Sequence, residues 1–224
     1  MYRRLSMARN KYPEQTVAKI LKVSGQLFYE KGYENTSMQD IVDQLHLSKG
    51  AIYHHFRSKE DLLNRLTEDY YKNNTWFTEI ENGTQSGLEK LKQIFRHELG
   101  DNEKQKIDTI SAHSLQDPKM IIHQLESSIH EIAPMLCAIL EQGNQDGSIS
   151  TPDPKHAAEV LIVLINIWIN PSIYPVTKED FLKKIEFFGY TMKQLGVPIL
   201  DDELRNLCIQ YYDSVVSKQL SQSE

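Results

Sequence analysis

Between Thr36 and Phe56 the chain reads TSMQDIVDQLHLSKGAIYHHF, and its second half sets Lys49, Gly50, Tyr53 and His54 outward on a short helix whose Ile52 and Phe56 face the other way. This is hydrogen-bonding chemistry suited to the DNA major groove, which is about 12 Å wide and admits one helix. Lys49 can donate to guanine O6 or N7, Gly50 permits close backbone approach, Tyr53 can bond a phosphate, and His54 can reach a base or a phosphate. Ser48 caps the helix, and the unpaired amides at its start, like those at Lys59, attract phosphate. Thr36 and Lys59 are expected to hold phosphates, and Gln39 to approach bases.

Other chemistries find little support. His113, His123 and His130 lack the i, i+4 pairing of a helical zinc site, and no nucleophile elbow, phosphate-binding loop or dinucleotide fingerprint occurs. The residues therefore predict no enzyme, no metal and no cofactor. Cys137 and Cys208 have no ligand spacing and are expected as small apolar residues in a reducing cytoplasm.

The formal net charge is -6, but it is unevenly placed. Residues 1–65 carry eleven Lys/Arg against seven Asp/Glu, about +4, and the remainder carries fourteen against twenty-four, about -10. A basic head on an acidic body confines any nucleic-acid contact to the head. The first residues, with Arg3, Arg4, Arg9 and Lys11, hold no apolar run and read as an arm, not as a secretory signal. The apolar stretch 157–169 is too short to span a bilayer, so no membrane contact is expected.

Positioning the outward residues requires a brace. Val17, Ile20, Leu21, Ser24, Leu27 and Phe28 form the stripe of an amphipathic helix from Pro13 to Lys31, stopped by Gly32. Thr36 with Gln39 reads as the capping box of the next helix, whose apolar side is Met38, Ile41, Val42 and Leu45; His46 and Leu47 make the turn. Ser58 with Asp61 opens a longer helix that runs past Leu66 and Tyr70 to Phe77. Beyond it, helical periods punctuated by Gly and Pro continue to about Ser217, with Gly143 to Pro154 as the longest loop and no convincing strand.

The run Lys31-Gly32-Tyr33-Glu34-Asn35-Thr36, then Ile41, then Leu47 to Phe56, then Ser58 to Leu63, closely resembles the DNA-binding domain of TetR-type (TetR/AcrR) regulators over about residues 12–65. Val42 stands where that family usually has Ala, and His46 where it often has Gly. His is among the better tolerated residues in a left-handed turn. The expected fold is all-α: a three-helix helix-turn-helix head (1–65, motif 36–56), a helical effector-binding and dimerisation body (66–218) and a flexible tail (219–224). The resemblance implies a cytoplasmic homodimeric repressor, each head reading half of a palindromic double-stranded operator, released by a small molecule bound in the body.

Within the body, Tyr70, Trp76, Phe77, Phe95, His97, His113, Met120, His123 and Met135 are candidates to line an effector cavity, being apolar with a few polar handles. The helix at 154–170 is apolar nearly all round, which fits either a central core helix or one that also meets a partner. With the helix at 177–195 it would form the dimer contact that the resemblance implies, through Leu161, Leu164, Ile165, Trp168, Phe181, Ile185, Phe188 and Met192. A different outcome is a DNA-bound adaptor whose body recruits a protein and has no effector cavity.

Overall fold

The computed structural model describes residues 13–73 and 75–216, and no strand occurs among them. The arm residues Arg3, Arg4, Arg9 and Lys11 and the tail 219–224 lie outside the described residues. The chain divides into two compact units, Met1–Asp69 and Tyr70–Glu224, a boundary that falls inside one helix.

The first unit holds α1 (Pro13–Lys31), α2 (Met38–Leu45), α3 (Lys49–Tyr53) and the start of α4 (Lys59–Asn73). Ile20, Leu21 and Phe28 of α1, Ile41, Val42 and Leu45 of α2, Ile52 and Phe56 at α3, and Leu62 and Leu63 of α4 are all buried. Each helix thus turns its apolar stripe inward, as its i, i+3, i+4 spacing requires. Gly32 ends α1 at φ +90°, a conformation available to glycine without steric cost.

The second unit holds α5 (Trp76–Glu81), α6 (Gly87–Gly100), α7 (Asn102–Ser111), α8 (Pro118–Ser127), α9 (Ala133–Asp146), α10 (Pro154–Val163), α11 (Lys178–Gln194) and α12 (Asp202–Tyr211). Side chains of Ser86, Asp101, Asp117, Asp153, Thr177 and Asp201 cap six of these helices, each satisfying an amide that the helix leaves unpaired. The core joins Leu91 and Ile94 of α6, Leu136 and Leu140 of α9, Leu161 of α10, Phe188 and Met192 of α11 and Leu204 of α12. Single π-helical segments follow α8 at Ser128–Ile132, α10 at Leu164–Ile169 and α12 at Tyr212–Val216.

Two sequence expectations need correction. The helix opened by Ser58 does not reach Phe77; α4 ends at Asn73 and α5 begins at Trp76. Gly143 is not in a loop but inside α9, which runs to Asp146. A β-carbon at Gly87 would lie 2.3 Å from the Gly143 backbone nitrogen, so this glycine pair permits α6 and α9 to cross at backbone contact. Pro134 occupies the first turn of α9, directly after the π-helical segment Ser128–Ile132.

Candidate nucleic-acid interface

The α2–α3 corner is built from caps. Ser37, not Thr36, caps α2: its Oγ accepts from the Asp40 amide at 3.1 Å, and the Ser37 amide donates back to Asp40 Oδ2 at 2.7 Å. The Ser37 hydroxyl, which donates to Asp40 Oδ2 at 2.6 Å, and then the Ser37 amide, with Lys31 Nζ 2.9 Å from the carboxylate, hold the Asp40 carboxyl well below its ordinary value of 3.8. Asp40 therefore fills the reciprocal role expected of Gln39, which is exposed and donates to Asp43 at 2.7 Å. His46 ends α2 in the left-handed region, φ 53° and ψ 32°. Ser48 Oγ then accepts from the Ala51 amide at 3.2 Å and starts α3.

The surface of α3 carries the chemistry. Lys49, Gly50, Tyr53 and His54 are exposed, and Ile52, wholly buried, fixes the helix from behind. Lys49 Nζ lies 5.8 Å from the centre of the Tyr53 ring, so charge and aromatic face share one patch. A β-carbon at Gly50 would meet nothing within 4 Å, so no internal crowding calls for glycine at this position.

Two expected phosphate contacts do different work. Thr36 is 1% exposed, and its Oγ1 donates to the Gly32 carbonyl at 2.8 Å; it ties the end of α1 to the start of α2 and cannot meet a phosphate. Lys59 Nζ donates to the Tyr33 carbonyl at 2.7 Å and sits 4.4 Å from the centre of the Tyr33 ring. That ammonium clamps α4 to the α1–α2 connection instead of standing free for DNA. At the cap the sequence holds two successive hydroxyl residues, each three before a plausible partner, and packing decides that Ser37 is the cap.

A family model for bacterial regulatory proteins of the tetR family matches residues 20–66. The Transposon Tn10 TetC protein of Escherichia coli is 30% identical over 148 residues, which cover 63% of this chain and 70% of that protein. The chain belongs to the tetR family. A transcriptional regulator in the lacX 3' region of Lactococcus lactis is 33% identical over 96 residues, 41% of this chain and 48% of that protein. Another, YfiR of Bacillus subtilis, is 30% identical over 87 residues, 39% of this chain and 36% of its own length. This tetR-family chain thus spans less than half of either of those two relatives. Among solved structures, a TetR-family regulator from Pectobacterium atrosepticum superposes with a TM-score of 0.58 at 22% identity over 84% of this chain and 98% of that one. At that identity the likeness shows the shared fold, all-helical with an N-terminal helix-turn-helix head. Members of the tetR family are transcriptional regulators and not enzymes.

In the body, a cleft of about 210 Å³ opens between α6, α7, α11 and α12. Of the nine cavity candidates only Phe95 lines it. Trp76 instead stacks on His97 with ring centres 4.0 Å apart, Phe77 packs against the core, and Tyr70 buries its hydroxyl. His113 Nδ1 lies 3.1 Å from the Ile110 carbonyl, Met135 is half-buried, and Met120 and His123 are exposed on α8. Aromatic content between residues 62 and 140 does not locate a cleft whose walls come mostly from residues 165–211.

The dimer candidates also need correction. Leu161, Phe181, Ile185, Phe188 and Met192 are buried in the protomer's own core, and Leu164, Ile165 and Trp168 are half-buried. What α11 leaves outward is Phe187, 59% exposed, and Tyr190, 61% exposed. Phe187 meets Trp168 at 5.9 Å and Tyr190 at 6.3 Å between ring centres, and Val160 and Val163 of α10 are exposed as well. Among the described residues, no group of three or more His, Cys, Asp or Glu could hold a metal ion, and no helix is long and apolar enough to cross a membrane.

Proposed function

We propose that this chain is a transcriptional repressor that binds a palindromic operator as a homodimer and is released by a small molecule bound in its body. One observation carries the DNA reading: Lys49, Gly50, Tyr53 and His54 stand exposed on a capped helix fixed by wholly buried Ile52. Lys49 and His54 approach bases, with Gln39 at the edge of the contact, while Tyr53 and the amides at Ser48 take phosphates.

A single head reads too few base pairs, so two copies must pair with two-fold symmetry. The outward aromatics Phe187 and Tyr190, with Val160 and Val163, supply an apolar surface of the kind that marks a partner contact. The open cleft supports an effector over a bare adaptor. Effector and DNA must prefer different shapes of the protein for release to follow.

Selection of bound duplexes from a random pool, followed by footprinting, tests this reading. A palindromic consensus protected by the wild-type chain is expected, and Lys49→Ala should relax base preference in one column of each half-site, at about 1–3 kcal/mol. Enrichment of no sequence would overturn the repressor reading.

A further inference from the structure

The body cleft is lined by two chemically distinct sets of side chains. Phe95, Phe181, Ile185 and Phe188 belong to the apolar set; Glu98, Lys104, Asp108 and Tyr211 belong to the polar one. Within the polar set Lys104 Nζ lies 2.6 Å from Asp108 Oδ1 and 3.4 Å from Glu98 Oε2, and Tyr211 Oη donates to Asp108 Oδ2 at 3.1 Å. Both Asp108 oxygens are engaged, whereas the ion pair of Glu98 with Lys104 is long.

The charges do not cancel. Burial alone would lower the Lys104 pKa, but Asp108 and then Glu98 raise it further than burial lowers it, so one fixed cation faces two carboxylates. Glu98, Lys104 and Asp108 are the charged side chains lining the cleft, and they sum to about -1. Glu98 is the less tightly paired of the two carboxylates, and a cation entering the cleft can pair with it. An anion would have to displace a carboxylate from Lys104, and a neutral molecule would leave the imbalance untouched.

Tyr70, whose buried hydroxyl has no hydrogen-bond partner among the described residues, has its phenol pKa raised by burial and then by Asp101 and Glu98. The aromatic walls offer faces to a cation. The volume, about 210 Å³, is below the roughly 300–1,000 Å³ of clefts for drug-sized molecules.

We propose that this cleft takes a compact organic monocation, a protonated amine on an apolar body, with Glu98 as its main counter-charge. The inference rests on reading the body as the effector domain. Gln124, Asn166 and Asn170, also on the lining, offer amide groups to orient such a ligand.

Titration calorimetry on the full chain near pH 7 tests it with three probes of one shape: 2-phenylethylammonium, 2-phenylethanol and 3-phenylpropanoate. The ammonium should bind one to one, about tenfold or more tighter than the other two, as one charge-assisted hydrogen bond provides. Glu98→Gln should abolish that preference while circular dichroism shows the helices retained. Gln124→Glu, at an exposed lining position, should strengthen it. Equal or tighter binding of the alcohol or carboxylate, or an undiminished preference in Glu98→Gln, would overturn the ligand class and leave an effector cleft standing. Absence of heat with all three probes would overturn both.

Discussion

Helix α2 in the head and helix α11 in the body are both amphipathic, yet they differ in what their second face carries. In α2, Ile41, Val42 and Leu45 are buried and Gln39, Asp43 and Gln44 are exposed, so one stripe decides the orientation. In α11, Phe181, Ile185, Phe188 and Met192 form one apolar stripe and Phe187 and Tyr190 stand on another face. A helix with large apolar residues on two faces can pack either way until its neighbours are known. Here α12 and the π-helical segment Leu164–Ile169 meet the stripe from Phe181 to Met192, and Phe187 and Tyr190 remain outward.

The two faces of α11 should therefore fail in different ways. Phe188→Ala should cost the body about 3–5 kcal/mol, the transfer term plus an unfilled cavity. Both tryptophans, Trp76 and Trp168, lie in the second unit, so their fluorescence in urea reports the body. An unchanged midpoint with lost self-association would mean the faces have been exchanged. Phe187→Ala combined with Tyr190→Ala should leave the protomer folded and weaken self-association by about 3 kcal/mol, on the order of a hundredfold. Sedimentation across a dilution series measures this, and an unaltered dimer would move the interface elsewhere.

The same contrast explains what was legible in the sequence. The head rests on neighbours in the chain: Ser48 with Ala51, Gly32 after Lys31 and Ile52 against Phe56 are relations within a few residues, and spacing exposes them. The choice between Thr36 and Ser37 was misjudged because both hydroxyls precede a plausible partner, and only packing shows that Thr36 turns inward to Gly32. Lys59 was misjudged because its acceptor, the Tyr33 carbonyl, is 26 residues away and leaves no mark in side-chain type. The cleft was least legible of all. Glu98, Lys104 and Asp108 look like solvated helix charges until α12 brings Tyr211 across, 103 residues from Asp108.

Within the head, the two hydroxyls should separate by role. Thr36→Val keeps the shape but leaves the Gly32 carbonyl without its bond, and should cost about 1–2 kcal/mol. Ser37→Ala removes the cap at about 1 kcal/mol. Amide exchange at Ile41, Val42 and Leu45 reads both, roughly fivefold faster per kcal/mol. The two variants should then diverge with pH. Because the folded Asp40 pKa is depressed, its stabilisation is complete well above 3.8, its unfolded reference, and fades as pH falls below that value. Ser37→Ala removes the first cause of the depression, so its deficit against wild type should narrow in acid, whereas that of Thr36→Val should not. Parallel pH profiles would detach Asp40 from the cap.

The smallest expected effect lies at His46, the one described non-glycine residue with positive φ. A side chain in the left-handed region costs on the order of 1 kcal/mol, with His at the tolerated end of that range. His46→Gly removes the clash but gives the unfolded chain more freedom, which offsets part of the gain. The net should be a stabilisation of about 0.5 kcal/mol, seen as roughly twofold slower exchange of the α2 amides. Since the turn already adopts a glycine-like conformation, α3 should keep its place, and the duplexes selected by His46→Gly should match those of the wild type. Faster exchange would show that the imidazole supports the turn. A changed consensus with unchanged exchange would instead make His46 part of the reading surface, extending the contact from α3 back into the turn that precedes it.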